Sequence, residues 1–218
     1  MAQLFHPSFN VVSKLSIVFV LIALTACTWT AYELYQSGYT TEVNTPRRQP
    51  VPFSHKRHVD GNGISCEYCH TSVAISSYAG IPPTYTCMTC HSQIFTDSPL
   101  LGPVRASFQS GKPLQWTRVN DLPDFVYFNH SIHINKGIGC VTCHGRVDQM
   151  PLTWRQNTLF MSWCLNCHRS PEKYIRPRSE VFNMNWKPQG DQETLGRKLV
   201  KEYNVQTKRI TDCSTCHR

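Results

Sequence analysis

Residues 53–70 read FSHKRHVDGNGISCEYCH, a stretch that combines two patterns of histidine and cysteine. It joins a His-x-x-His pair to a Cys-x-x-Cys pair that is followed directly by a third histidine. The Cys-x-x-Cys-His ending occurs five times and takes up ten of the eleven cysteines in the 218 residues. The five cysteine pairs, called the first to fifth motifs in chain order, are Cys66 with Cys69, Cys87 with Cys90, Cys140 with Cys143, Cys164 with Cys167 and Cys213 with Cys216. The histidines that directly follow them are His70, His91, His144, His168 and His217.

Cys-x-x-Cys-His is the attachment signal for c-type haem. The two thiols form thioether bonds with the haem vinyl groups, and the adjacent histidine becomes an axial ligand of the iron. Cysteine pairs also form tetrahedral zinc sites, which need pairs of pairs, and redox-active dithiols. Neither alternative explains a histidine after every second cysteine, and five pairs is an odd number. The sequence therefore predicts five covalently bound haems c.

The motifs belong to an internal repeat. Residues 128–144 read FNHSIHINKGIGCVTCH and match the pattern of residues 53–70, and each of the two stretches is followed by one further motif. Each repeat is therefore a two-haem module, and the fifth motif is an addition. The predicted boundaries are 53–95 for the first module, 96–124 for a linker rich in proline and glycine, 125–170 for the second module, and 171–218 for a C-terminal extension that carries the fifth motif.

The remaining histidines match the axial positions still open on four irons. Of ten histidines, five follow the cysteine pairs and His6 precedes the apolar N-terminal segment. The other four form two His-x-x-His pairs, whose i, i+3 spacing places both rings on nearly one helical face. Their alternative use is as a solvent-exposed pair or a zinc site. We expect four low-spin, bis-histidine irons of low potential, with distal ligands His55, His58, His130 and His133.

No histidine is left for the fifth iron, which therefore takes methionine, a ligand that raises the potential, or keeps an open position. Met150 and Met161 lie between the third and fourth motifs, in a segment that is longer than its counterpart in the first module. Methionine is also ordinary core filler. Met150 is the preferred candidate because Met161 is tied close to its own haem through Cys164. Met161 is the alternative, and Met184 follows as the remaining methionine.

The segment at residues 15–35, LSIVFVLIALTACTWTAYELY, is long and apolar enough to span a bilayer. We expect an uncleaved transmembrane anchor in the cytoplasmic membrane, between a cytoplasmic tail at residues 1–14 and a polar tether at residues 36–52. The haem domain is expected on the periplasmic side, because c-type haem is attached outside that membrane. A cleaved signal peptide and a lipoprotein with a lipidated Cys27 are the alternatives.

The composition favours short elements packed around haem. Fourteen prolines and eleven glycines interrupt the chain, so brief helices, irregular segments and little strand are expected. The formal net charge is +8, but ten haem propionates would bring a charge of about −10. The sequence has no basic stripe with interleaved aromatic residues, so we do not expect a nucleic-acid partner.

The order of these motifs resembles known families. Phe-x-His-x-x-His followed by Cys-x-x-Cys-His resembles class III multihaem cytochromes c, which implies a haem-packed domain that is mainly irregular with short α-helices. The larger pattern consists of an anchor, two modules, the stretch FMSWCLNCHR at residues 160–169 and a terminal fifth motif. This pattern is similar to the pentahaem cytochrome c subunit of bacterial alternative complex III.

That resemblance implies an electron-transfer subunit of a quinol-oxidising membrane complex, with no catalytic residues or substrate site of its own. Its partners would be an iron–sulfur subunit that supplies electrons, a monohaem cytochrome c or soluble carrier that accepts them, and membrane lipid. The main competing interpretation is a membrane-anchored quinol dehydrogenase that feeds periplasmic reductases. A multihaem reductase, which needs a vacant iron with acid–base residues around it, and a free-standing storage cytochrome also compete.

Overall fold

The computed structural model describes residues 5–217, and the chain divides into two compact units at residues 1–43 and 44–218. In the first unit, helix α1 spans Ser8–Gln36 and helix α2 spans Gly38–Thr41. The 29 residues of α1 reach about 43 Å, whereas the hydrocarbon core of a bilayer is about 30 Å thick. Helix α1 is therefore long and apolar enough to cross a membrane.

Helix α1 contains the predicted span of residues 15–35 and begins seven residues before it. Residues 8–14, which the sequence assigned to a tail, are therefore helical, and residues 1–4 of that tail lie outside the described residues. Apolar side chains such as Leu21 and Ile22 are exposed on the helix, as they would be on a surface that faces lipid.

The second unit consists of short helices joined by irregular segments. Its helices are α3 (Cys66–Cys69), α4 (Thr84–His91), α5 (Gly102–Ser110), α6 (His130–Asn135), α7 (Cys140–His144), α8 (Met161–Arg169), α9 (Gln192–Glu202) and α10 (Cys213–Cys216). A π-helical turn spans Lys56–Gly61, and 3₁₀ turns span Pro99–Leu101, Val147–Gln149, Pro171–Lys173 and Arg178–Glu180. Within residues 5–217 there is no strand, and β-pairing is limited to isolated bridges such as that between Ile138 and Ile175. The expected fold class, mainly irregular with short α-helices and one apolar N-terminal helix, is confirmed.

Each Cys-x-x-Cys pair lies on a helical turn, in α3, α4, α7, α8 or α10. Residues three apart in a helix share a face, so the two thiols of a pair point in a similar direction. The turn at α3 is capped by the Ser65 hydroxyl, which accepts a hydrogen bond of 3.3 Å from the Glu67 N–H. The local sequence of each motif is therefore sufficient to place its two thiols on one face of a helical turn.

The predicted linker at residues 96–124 contains helix α5, which packs on α4 and so on the second motif. Val104 is only 2% exposed. The hydroxyls of Thr84 and Ser107 lie 2.7 Å apart and join the two helices. Helix α5 therefore packs against and supports α4, in addition to connecting the two modules.

The C-terminal extension has a small core of its own. Ile175, Leu199 and Tyr203 are buried together with Ile138 of the second module. Helix α9 packs closely on the turn at Pro171–Lys173, where a Cβ on Gly196 would overlap the backbone of Glu172. The extension therefore forms a packed support for the second module; its last residue lies outside the described residues.

Candidate haem-attachment sites

Pairs of histidines face each other at a separation that fits a metal ion between them. The distances between imidazole centroids are 6.2 Å for His58 and His91, 6.4 Å for His130 and His144, and 6.2 Å for His133 and His168. A metal–nitrogen bond is about 2.0–2.1 Å and a ring nitrogen lies about 1.1 Å from the ring centre, so rings on opposite sides of one metal ion have centroids about 6.3 Å apart. Each pair joins one His-x-x-His residue to one motif histidine, as predicted for bis-histidine haem.

His55 is the fourth distal candidate, and its neighbour is His70. Burial lowers the pKa of His55 to about 4, and after burial the charge of His70 contributes most to the shift, ahead of His58 and His144. Burial also lowers the pKa of His144 to about 4, with a smaller contribution from His130. Such imidazoles are neutral at pH 7, which is the form that binds a metal.

The Nδ1 atoms of these histidines are held by the surrounding chain. Six lie near backbone carbonyl oxygens: His58 at 2.8 Å from Ser54, His70 at 2.7 Å from Gly80, His91 at 3.3 Å from Ile94, His130 at 3.0 Å from Ser77, His133 at 2.8 Å from Asn129, and His168 at 2.7 Å from Ile210. The hydroxyl of Thr153 lies 3.0 Å from Nδ1 of His55, and the side-chain amide of Asn120 lies 3.1 Å from Nδ1 of His144.

A carbonyl oxygen can only accept, so in those six histidines Nδ1 carries the proton. The lone pair of the neutral ring then lies on Nε2 and is free to bind iron. Metal-binding histidines commonly donate their second N–H to a carbonyl in this way, and the hydrogen bond fixes the ring orientation. The six rings are thus oriented by groups outside the motifs, with Nε2 available to a metal.

One phenylalanine packs against both histidines of each His-x-x-His pair. Phe53 meets His55 edge-on at 4.9 Å and stacks on His58 at 4.4 Å. Phe128 meets the first histidine of its pair edge-on at 4.7 Å and stacks on the second at 4.6 Å. The repeat seen in the sequence is therefore also a repeat of geometry, in which each phenylalanine fixes the angle between two histidine rings.

The cysteines are available for thioether bonds. All eleven are unpaired within residues 5–217, and no three His, Cys, Asp or Glu side chains in that range converge as a metal-ion site. Burial raises the pKa of Cys140 and Cys167 to about 11, and that of Cys143 to about 12. The arrangement fits haem attachment, with facing histidine pairs, better than tetrahedral zinc.

The fifth motif packs against the start of the second module. The Tyr127 N–H donates to the carbonyl of Cys216 at 2.7 Å, and the ring of Phe125 stacks on His217 at a centroid distance of 5.9 Å. The carbonyl of Ile210, three residues before Cys213, accepts a hydrogen bond of 2.7 Å from Nδ1 of His168 in the fourth motif. The fifth motif is therefore a neighbour of the fourth.

The two methionine candidates lie in different surroundings. Met150 is 1% exposed, and its carbonyl accepts a hydrogen bond from the Lys56 N–H of the first module at 3.1 Å. Met161 is 57% exposed and begins helix α8, three residues before Cys164.

Two buried guanidinium nitrogens are consistent with a cofactor that carries carboxylates. Arg176 is only 6% exposed, and its guanidinium carbon lies over the Trp186 ring, 4.8 Å from the ring centroid. Its Nε and the Nη1 of Arg105 are buried, without a hydrogen-bond partner in the described part of the chain. Buried cations need acceptors, and each haem brings two propionates. The residues present therefore fit covalently bound haem.

Sequence reasoning missed the groups that orient the histidines. Most of them are backbone carbonyls, such as those of Ser77 and Ile210, which carry no side-chain signal. Asn120 and Thr153 act through side chains, but they lie in segments with no motif. Only the three-dimensional structure brings these residues to the rings.

Facing histidine pairs, free cysteine pairs and a short-helix fold are the features expected of a multihaem c-type cytochrome. Residues 126–218 match the family of cytochrome c7 and related cytochromes c. The chain is also similar to the protein described as menaquinone reductase, multihaem cytochrome c subunit, of Nitratidesulfovibrio vulgaris, with 37% identity over 99 residues. That match covers 45% of this chain and 46% of the relative, so the chain spans about half the length of the curated relative that it matches.

Proposed function

We propose that the chain is a pentahaem c-type cytochrome that transfers electrons within a quinol-oxidising membrane complex of the alternative complex III kind. In this proposal it receives electrons from an iron–sulfur subunit and passes them to a monohaem cytochrome c or a soluble acceptor. When bound, each haem supplies a one-electron redox centre. The ten motif cysteines hold the five haems, and the five motif histidines are their proximal ligands.

The observation that carries this proposal is the facing of distal and proximal histidines. A ligand on each side of the iron leaves no position for a substrate, which favours electron transfer over substrate chemistry. The distal ligands proposed are His55 for the first motif, His58 for the second, His130 for the third and His133 for the fourth. Facing rings support the last three of these pairs, and the nearby charge of the first motif histidine supports the pairing of His55.

For the fifth iron the proposed ligand is a methionine, either Met150 or Met161. Met161 gains support from its place one helical turn before Cys164 of the fourth motif, whose histidine is hydrogen-bonded to Ile210 just before the fifth motif. The sequence alone favours Met150, whose burial also suits a core residue. A methionine ligand would make this haem the one of highest potential.

Helix α1 is proposed as an uncleaved single-pass anchor in the cytoplasmic membrane, with the haem-binding unit on the periplasmic side. Its length and exposed apolar side chains support this assignment. Between Leu15 and Tyr32 the helix has no ionisable side chain apart from Cys27 and Tyr32 itself. Such a helix can pack against lipid and neighbouring subunits, but it offers no charged group for moving protons.

A second candidate function is electron transfer in the opposite direction, into quinone. It is favoured by the name of the relative, menaquinone reductase. Both candidates place the chain in a membrane complex that exchanges electrons with quinone, and they differ in the direction of flow.

The test compares the purified chain with the complex isolated gently from membranes. The complex should oxidise menaquinol with cytochrome c as acceptor, whereas the isolated chain should exchange electrons only with artificial mediators. Replacing Cys140 and Cys143 by alanine should abolish quinol oxidation, and Cys27→Ala serves as a control outside the motifs. Sustained quinol oxidation by the chain alone would favour the quinol-dehydrogenase interpretation, and menaquinone reduction by the complex would favour the reverse direction.

A further inference from the structure

We propose that the attachment motifs follow one another in space in the order second, first, third, fourth, fifth, so that the second and fifth motifs are the two ends that face redox partners. This inference rests on the proposed function only in taking all five motifs as haem sites. The chain order would instead put the first motif at one end. The structure supports the exchanged order through contacts at each of four junctions.

The first junction joins the second motif to the first. The hydroxyl of Tyr68, inside the first motif, lies 3.1 Å from the hydroxyl of Thr89, inside the second. Phe53 contacts both His55 and His58, the distal candidates of these two sites. The two sites therefore share one ligand-bearing segment.

The second junction joins the first motif to the third and skips the second. Nδ1 of His130, in the second module, donates to the carbonyl of Ser77, seven residues after His70. In return, the hydroxyl of Thr153 in the second module lies 3.0 Å from Nδ1 of His55. Each module thus orients the first distal histidine of the other, which brings the first and third sites together.

The third junction repeats the geometry of the first. Phe128 contacts both His130 and His133, whose rings face the histidines of the third and fourth motifs. At the fourth junction, Nδ1 of His168 donates to the carbonyl of Ile210, three residues before Cys213. The third, fourth and fifth sites are therefore consecutive in space as well as in the chain.

Exposure of the cysteines agrees with this order. Among the ten motif cysteines, Cys90 of the second motif and Cys213 of the fifth are exposed, and the other eight are half-buried. The exposed thiols thus lie at the two ends of the proposed series. A partner protein can approach an exposed site more closely than a covered one, so these ends suit electron entry and exit.

The direct test is the structure of the haem-loaded protein by cryo-electron microscopy, with all iron–iron distances measured. The distance between the irons of the first and third motifs should be shorter than the distance between the irons of the second and third motifs. A second-motif iron nearer to the third, as in chain order, would overturn the proposal. This readout is independent of quinone activity, so a complex that fails to oxidise quinol would refute the proposed function and leave the order intact.

A matched pair of haem deletions tests the same order in solution. Neighbouring haems shift each other's reduction potential, so deleting an end haem should shift one remaining midpoint and deleting an internal haem should shift two. Replacing Cys87 and Cys90 by alanine should shift one midpoint, and replacing Cys66 and Cys69 should shift two. The reverse result would show chain order, and equal numbers of shifts would also contradict the proposal. If either variant fails to mature, the wild-type iron–iron distances decide.

Discussion

The imidazole rings of His130 and His144 lie parallel, with centroids 6.4 Å apart and planes only 4° apart. Nδ1 of His130 donates a hydrogen bond to the carbonyl of Ser77, and Nδ1 of His144 lies near the side-chain amide of Asn120. Two rings fixed in this way, with room for one metal ion between them, have the geometry proposed for an axial ligand pair.

His130→Ala should convert one low-spin haem to the high-spin state, because one iron loses its sixth ligand. The measurement is electron paramagnetic resonance of the oxidised protein, with the visible spectrum as a second readout. His6→Ala is the control, since His6 belongs to the first unit and should leave the spectrum unchanged. An unaltered low-spin population in His130→Ala would contradict the ligand assignment, unless a substitute ligand is seen by its spectrum.

Haem content should be five per chain. Pyridine haemochrome analysis of the mature protein should give this value, and the haem should resist extraction with acidified acetone because thioether bonds hold it. Replacing Cys213 and Cys216 by alanine should lower the value to four. A wild-type value of four or fewer would show that at least one motif does not carry haem.

Replacement of the proposed methionine ligand should remove the step of highest potential in a redox titration. Met161→Ala is the cleaner variant, because a residue that is 57% exposed contributes little to the core. Met150 is 1% exposed. Met150→Ala should therefore also lower the free energy of unfolding by about 2–5 kcal/mol, as for other buried methionines.

The two variants separate the ligand from the core residue. Loss of the high-potential step in Met161→Ala alone would assign Met161, and loss in Met150→Ala alone would assign Met150. A step that survives in both would contradict methionine at either position.

Gly196→Ala should destabilise the C-terminal extension, because the new Cβ would overlap the backbone of Glu172. A clash with backbone in a packed interface typically costs about 1–3 kcal/mol. The matched control is Gly190→Ala, where a Cβ would meet open space at an ordinary backbone angle. Urea unfolding of both haem-loaded variants measures the difference, and equal midpoints would show that α9 does not pack on this turn.

The sequence predicted the parts of this protein that depend on short-range pattern. Five motifs, the repeat of Phe-x-His-x-x-His and the apolar N-terminal helix can all be read from residue types at fixed spacing. The scarcity of strand followed from frequent proline and glycine, and the structure confirms it over residues 5–217.

Packing between distant segments could not be predicted in the same way. Residues 102–110 begin with Gly102 and Pro103, which are typical of a linker, yet proline also suits the first turn of a helix. Burial of Val104 against α4 decides in favour of helix. Asp191 is a typical residue for the start of helix α9, and its carboxylate accepts a hydrogen bond of 2.7 Å from the Thr194 N–H. Gly196 in the middle of the helix has a low helix propensity and so argues against a helix in the sequence.

The crosswise support of His55 by Thr153 and of His130 by Ser77 has a consequence for how this protein can be divided. A gene fragment that encodes residues 53–95 would contain two complete attachment signals, but its His55 ring would lack the hydroxyl that lies beside it in the whole chain. The two-haem repeat is recognisable in the sequence, but one copy alone does not contain all the groups that orient its histidines. Haem insertion into either half is expected to reach its final geometry only after the other half has been synthesised.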